Sequence, residues 1–290
     1  MNTTYSALFG LKHNPFLSSV PTESLHVTQK LEMFCWRLER LVADGGFALI
    51  TGDVGHGKSC ALRIVDSRLS KMRDVTVGVI SHPQCRVTDF YRQMGDIFGV
   101  TLAPSNRWGS FRSLREKWQA HIDSSFHRPV LLIDEAQEMQ PVVLNELRIL
   151  SQAKFDQHNV LTVCFAGDQR LPDKLQTPEL MPLATRIKCR LTLDYSTAPQ
   201  LRDALMHSLQ AAGAPHLMTS GLIDTMCERA AGNMRVLFNL AADLLDQAAK
   251  QERTQLDEAL FLEVFDVPRT GARRQSAKGS SKSSTPQVQR

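Results

Sequence analysis

"FALITGDVGHGKSCALRIV", Phe47 to Val65, sets three glycines within six residues between two apolar runs. Phe47-Ala48-Leu49-Ile50 reads as a buried strand, and Leu62, Val65 and Leu69 fall at helical spacing in the run that begins at Ser59. Between them, Gly52-Asp53-Val54-Gly55-His56-Gly57-Lys58-Ser59 fits G-x-x-x-x-G-K-[ST], the phosphate-cradling P-loop. Glycines let successive backbone N–H groups turn inward around an anion. The following helix, entered through Cys60, adds the partial positive charge of its N-terminus. At this spacing Lys58 is placed to reach the β- and γ-phosphates, and Ser59 to offer its hydroxyl to Mg²⁺. The plainer alternative is a flexible turn. The strand–loop–helix placement favours the phosphate site, with ATP and Mg²⁺ as the cofactors.

The chain around this motif has 290 residues, 42% of them hydrophobic and 22% charged, an ordinary balance for a globular protein long enough for two domains. No apolar run approaches the roughly 18 residues of a membrane span, and Met1 to Tyr5 carry neither a basic nor an apolar leader region. The reading is therefore a cytoplasmic protein without membrane insertion. Six scattered cysteines with no C-x-x-C pair argue against a zinc site or a disulfide framework, and for buried, reduced thiols. The net charge of +4 is local. Residues 269–290 hold six Lys/Arg and no acid, which leaves the preceding body slightly acidic. That Ser/Gly/Lys-rich tail cannot bury enough surface to order itself. It is either a solubilising tail or a loose contact for a partner.

Strands and helices alternate along the body. A helix is expected at 28–43 with Thr28 as its N-cap, followed by the P-loop strand. A second strand spans Asp74 to Ser81, a helix runs to Gly99, and a partly basic helix begins at Ser110. The alternation indicates an α/β layer fold around a mainly parallel sheet. A third strand, Val130-Leu131-Leu132-Ile133, is apolar throughout and stops at Asp134-Glu135. Two carboxylates at the end of a buried strand are costly unless used. With the P-loop upstream, Asp134 fits the acid that holds Mg²⁺, and Glu135 the general base that activates water. A simple strand end with solvated acids is the alternative. Another apolar run, Asn159 to Asp168, ends in the same manner.

This order, a P-loop, an Asp-Glu strand end and a polar residue after the next strand, resembles the AAA+ ATPases. The resemblance implies a five-stranded P-loop sheet of the AAA+/ASCE type with a C-terminal helical lid. It implies an N-terminal extension at 1–27, a nucleotide-binding α/β domain at 28–195 and a lid at 196–267, and composition adds the disordered basic tail at 268–290. Lid helices fall at about 198–212, 219–231, 233–251 and 255–265. Asp168 takes the sensor 1 place, where a carboxylate would repel phosphate, so Gln169 is its understudy. Arg186, just before a fifth strand at Ile187 to Leu193, takes the place of the arginine finger that reaches a neighbouring subunit's nucleotide. Arg190 is the runner-up, and a plain surface arginine the alternative. Arg235 lies in the first turn of the helix after Gly232-Asn233, where a cation opposes the helix dipole, and fits the sensor 2 role.

"LFGLKHNPF", "GDVGHGKS", "LLIDEAQEM", "FAGDQRL", "LATRI" and "AGNMRVL" together are similar to the ExeA-type branch of these proteins, and to the transposition ATPases TniB, TnsC and IstB. The opening motif implies that Phe9, Pro15 and Phe16 sit beside the nucleotide or the core. Relatives of the TnsC type assemble on duplex DNA with ATP and act on a transposase. By that resemblance Arg107, Arg112, Arg115 and Lys117, interleaved with Trp108 and Trp118, form a sequence-independent phosphate-binding surface. A solvated helix face with Trp in the core is the alternative. Two functions follow. One is an ATP-dependent DNA-binding regulator of transposition, a homo-oligomeric ring or filament whose partners are duplex DNA and a transposase, integrase or target-selection adaptor. The other is an ExeA-type ATPase that assists secretion or pilus assembly.

Overall fold

The computed structural model describes residues 8–80, 82–103, 105–153 and 158–265. The expected basic tail at 268–290 lies outside them. Five parallel strands form the central sheet: β1 (Gly46–Gly52), β2 (Val75–Ile80), β3 (Arg128–Ile133), β4 (Thr162–Gly167) and β5 (Ile187–Leu193). Their spatial order is β2-β3-β4-β1-β5. Every residue of β1 and β4 is buried, as continuous apolar strands require when helices cover both faces. Alternate residues take opposite faces. Phe47 and Leu49 of β1 point into one core with Phe165, while Ala48 and Ile50 point into the other with Leu132. The rings of Phe47 and Phe165 stack at 6.0 Å, so the two central strands are locked side by side. Edge strand β5 buries Ile187, Cys189 and Leu191 and turns Lys188 and Arg190 outward. Charged side chains on an open edge discourage further strand pairing.

Helices α1 (Gln29–Asp44) and α2 (Lys58–Leu69) supply one covering layer. The Thr28 hydroxyl accepts from the Leu31 N–H and caps α1 as its sequence predicts. The other layer is α3 (Val87–Phe98), α4 (Arg107–Ser125) and α5 (Pro141–Ser151). α4 starts three residues before the expected Ser110, because the Asn106 side chain caps it by accepting from the Gly109 N–H at 2.9 Å. Trp118 belongs to this core, whereas Trp108 is exposed. Two short helices, α6 (Arg170–Leu175) and α7 (Met181–Ala184), lead from β4 to β5.

Four helices follow β5 close to the expected positions: α8 (Ala198–Ala211), α9 (Ser220–Ala230), α10 (Met234–Lys250) and α11 (Glu258–Phe265). Leu205, Met226, Leu244 and Phe261 form their shared core. Phe9, Leu11 and Phe16 complete it from the N-terminal segment, with Phe16 against Phe238 at 6.2 Å between ring centres and Pro15 buried beside them. The Lys12 N–H donates to the Ala212 carbonyl at 2.9 Å, and Arg63 of α2 donates to the carbonyls of Ser18 and Val20. Residues 8–20 thus strap the C-terminal helices to the P-loop helix. Five cysteines are buried as expected, but Cys60 is exposed at the start of α2. Among the described residues there is no metal-type cluster and no helix long and apolar enough to cross a membrane.

Removing the strap's anchor should cost what an emptied aromatic site costs. Phe16→Ala is predicted to lose about 3 kcal/mol of unfolding free energy in a urea titration. Unchanged stability would show that the segment is not part of the C-terminal core.

Candidate functional site

All five strands are parallel, so their C-terminal ends share one edge of the sheet. The loop after β1 carries Asp53 to Gly57, and α2 begins at Lys58. Gly55 and Gly57 have φ of +88° and +89°, conformations open to glycine but strained for other residues. The space where a Gly57 side chain would project is clear of other atoms within 4 Å, which leaves the mouth of the loop open. Gly55 is different. A Cβ there would lie 2.4 Å from Asn233 Oδ1, because the C-terminal helices press onto the loop at this point. The Asn233 amide donates to the Val54 carbonyl at 3.1 Å, and the Arg235 N–H donates to the Gly55 carbonyl at 3.2 Å. The same Asn233 side chain caps α10 by accepting from Val236 N–H.

Lys58 is buried, and its Nζ donates to the carbonyls of Gly52 and Asp53 at 3.0 and 3.1 Å. The ammonium therefore sits inside the loop, poised at its centre. Ser59 Oγ donates to Asp134 Oδ2 at 2.6 Å, so the hydroxyl and the carboxylate after β3 meet directly. These are hard oxygen donors of the kind Mg²⁺ takes. Open glycine cradle, central ammonium and paired oxygens fit a Mg²⁺-nucleotide. Three further charges gather around Cys60. Desolvation by the surrounding chain pushes its thiol up, Arg63 and then Arg235 oppose this, and Asp134 reinforces it. Arg235 and Asp134 thus lie within electrostatic reach of the same first turn of α2. His56 is buried, with Nδ1 against the Leu193 carbonyl at 3.1 Å and its ring edge-on to Tyr195 at 4.4 Å. Tyr195 in turn packs where Gly232 leaves room for it.

Glu135 is exposed, with φ of +51°. Its carboxylate accepts from the Gln137 amide nitrogen, and Gln137 Oε1 accepts from the Asp168 N–H at 3.2 Å. Gln137 is buried, so one side chain ties the acid after β3 to the end of β4. The Asp168 carboxylate does not stand alone. Arg170 Nε and Nη2 donate to it at 2.8–3.1 Å, and Arg170 also pairs with Glu138 at 2.8 Å. The Arg170 guanidinium holds the Asp168 carboxyl below the usual carboxylate range, with Lys58 adding to the effect. A depressed acid keeps its pair above its unfolded value and loses it only as pH falls through the lowered one, so the pair persists throughout the neutral range. The repulsion expected between Asp168 and a phosphate is thereby offset from within the chain. Gln169 is exposed and makes no capping bond to α6. Gln137 and Arg170 were missed by sequence reasoning. Their signals were a polar side chain two residues past Glu135 and an opposite charge two residues past Asp168.

Arg186 lies elsewhere. With Arg128, Lys188 and His158 it lines a cleft of about 650 Å³ that also takes in Gly46 and Phe47, the start of β1. That is the N-terminal edge of the sheet, a strand length or about 20 Å from the P-loop, beyond the reach of an arginine within one copy. Arg190 donates to the Ala184 carbonyl at 3.1 Å on the outer side of β5. The four basic residues expected to bind DNA all fall on α4, each with an intramolecular contact. Arg107 pairs with buried Glu146, which also accepts from Tyr91 Oη. Arg112 approaches Glu116 at 3.7 Å, and Lys117 donates to the carbonyls of Phe98 and Gly99 at the end of α3. Arg115 lies over the Phe111 ring at 5.2 Å, and burial lowers its guanidinium from the ordinary value.

Residues 42–175 match the model of the AAA domain family. The chain is 28% identical over 244 residues to General secretion pathway protein A of Aeromonas hydrophila, covering 82% of the chain but 44% of that relative's length. Among solved structures it is similar to Cdc6p of Pyrobaculum aerophilum, with TM-score 0.67 and 16% identity over 83% of this chain and 67% of the other. It is also similar to Drosophila ORC bound to DNA, with TM-score 0.64 and 16% identity over 90% of this chain and 65% of the other. Sheet order, P-loop and helical C-terminal region together give this chain the P-loop NTPase fold of the AAA+ ATPases.

Proposed function

We propose that this chain binds Mg²⁺-ATP, hydrolyses it slowly in an assembled state, and uses the nucleotide to load onto duplex DNA as a regulator of transposition. The observation that carries the nucleotide reading is the Lys58 ammonium held inside one glycine loop, with the next residue, Ser59, bonded directly to Asp134 after β3. When bound, Mg²⁺-ATP supplies the phosphoanhydride bond that is cleaved. Lys58, now bonded to the Gly52 and Asp53 carbonyls, would hold phosphate oxygens, and Ser59 and Asp134 would hold the cation. Glu135 accepts the proton of the attacking water. Gln137 holds that carboxylate and accepts from the Asp168 N–H at the end of β4, which makes it a positioning residue. Arg235 brings its charge to the nucleotide from the C-terminal helices. Arg186, at the opposite edge, acts on a nucleotide held by a second copy.

Duplex DNA is supported by the exposed guanidinium groups of Arg107 and Arg112 on α4 and by likeness to a structure of ORC bound to DNA. The transposition role rests on the motif resemblance. A second reading, an ATPase that assists secretion or pilus assembly, is favoured by the match to General secretion pathway protein A. Duplex binding measured with and without a non-hydrolysable ATP analogue, across salt and with particle size, separates them. The DNA reading expects nucleotide-dependent, salt-sensitive binding with growth in size. Nucleotide-driven assembly that ignores DNA at low salt favours the secretion reading.

Lys58→Ala is expected to abolish ATP binding by calorimetry. Glu135→Gln should retain binding and lower turnover by at least about a hundredfold, in line with loss of a general base. Gln137→Ala should change kcat while the ATP dissociation constant stays within about twofold; a matched loss of binding would make Gln137 merely structural. Arg186→Ala should slow turnover only at concentrations where wild type assembles. If dilute wild-type monomers hydrolyse as fast as assemblies, Arg186 is not a trans-acting group.

A further inference from the structure

α4 carries a feature that phosphate binding does not use. Trp108 is 69% exposed, yet its ring is not loose: it stacks on Phe111 at 5.5 Å and within 13° of parallel. Phe111 packs against the main core, and Arg115 lies over the same phenyl ring at 5.2 Å. One face of the indole is therefore fixed against an anchored ring, and its exposure belongs to the other face and the edges. Around it the helix is cationic. Residues 107–119 contain Arg107, Arg112, Arg115 and Lys117 against one acid, Glu116. Arg107 keeps its guanidinium exposed although its Nε serves buried Glu146.

A pre-oriented flat ring beside arginines matches a polyanion that also offers flat rings. Duplex DNA presents phosphates and base edges, but its base faces are stacked within the helix, so the indole face has no partner there. An unpaired strand offers both: its bases stack on aromatic rings, and its phosphates meet the guanidinium groups. We propose that Trp108, seated on Phe111, is a stacking platform for an unpaired base, so that this face of α4 binds single-stranded nucleic acid, with Arg112 and Arg115 beside its backbone. This inference rests on the DNA-binding reading and narrows the form of nucleic acid taken at α4. Because stacking reads no base edges, the site is tolerant of sequence.

The test uses the full chain with a non-hydrolysable ATP analogue, oligo(dT) of 20 nucleotides and a 20-base-pair duplex. Trp36→Phe leaves Trp108 as the exposed tryptophan beside buried Trp118. Oligo(dT) is expected to quench its fluorescence. Trp108→Ala should weaken oligo(dT) binding by about tenfold and duplex binding by less than about twofold, and Trp108→Phe should recover most of the loss. Thermal unfolding and ATP turnover without DNA should not change in either variant. Equal oligo(dT) affinity in wild type and Trp108→Ala overturns the platform, as does equal weakening toward both forms of DNA. Loss of nucleotide-driven particle growth in the absence of DNA would overturn it too, by assigning the ring to a contact between copies. Binding of duplex alone, untouched by Trp108→Ala, removes the platform and leaves the DNA reading standing. Binding of neither form by wild type removes both.

Discussion

The contact between Gly55 and the turn before α10 constrains the rest of the structure. Two hydrogen bonds, from the Asn233 amide to Val54 and from the Arg235 N–H to Gly55, fasten the C-terminal helices to the phosphate loop. They form only because Gly55 has no side chain, since a Cβ would overlap Asn233. Asn233 simultaneously caps α10, so the direction of that helix and the shape of the loop are set by one side chain. The strap from Phe9 to Val20 closes the arrangement from behind, joining the same helices to α2 through Arg63. The loop is thus bonded to the C-terminal helices at two places, and α2, which follows it, is tied to the same helices through the strap.

Charge at the site is balanced before any ligand is considered. Lys58 is held by two carbonyls, Ser59 by Asp134, and Asp168 by Arg170. The first two interactions occupy groups that a Mg²⁺-nucleotide would claim, whereas the third neutralises a carboxylate that would repel it. The internal partners keep buried or crowded polar groups satisfied, which avoids the cost of leaving them bare. Gln137 links two of the acidic positions, so a shift at the end of β4 reaches Glu135 through one buried amide.

Much of this was legible in the sequence because it is local. The P-loop spacing, the apolar run that stops at Asp134-Glu135, and the four C-terminal helices each depend on residues a few positions apart, and the structure places them close to the expected boundaries. The alternation of strands and helices pointed to a mainly parallel sheet, and all five strands of the central sheet are parallel. What escaped depends on residues far apart in the chain. Nothing near Asn233 announces that it will meet Val54, and nothing near Arg107 announces buried Glu146. α5 and the Asn106 cap were not singled out either, the first because its apolar face is short and the second because a single polar residue must compete with many others for that role. Trp118 and Trp108 look alike in sequence; helix phase sends one into the core and the other to solvent.

Through the bonds of Asn233 and Arg235, the phosphate loop and the C-terminal helices are expected to respond to nucleotide as one unit. Amide hydrogen exchange with and without a non-hydrolysable ATP analogue and Mg²⁺ tests it most directly. Residues 54–60 and 233–237 are expected to slow together, and Asn233→Ala to uncouple the second segment while the first still slows. Protection confined to the loop in the wild-type chain would contradict it.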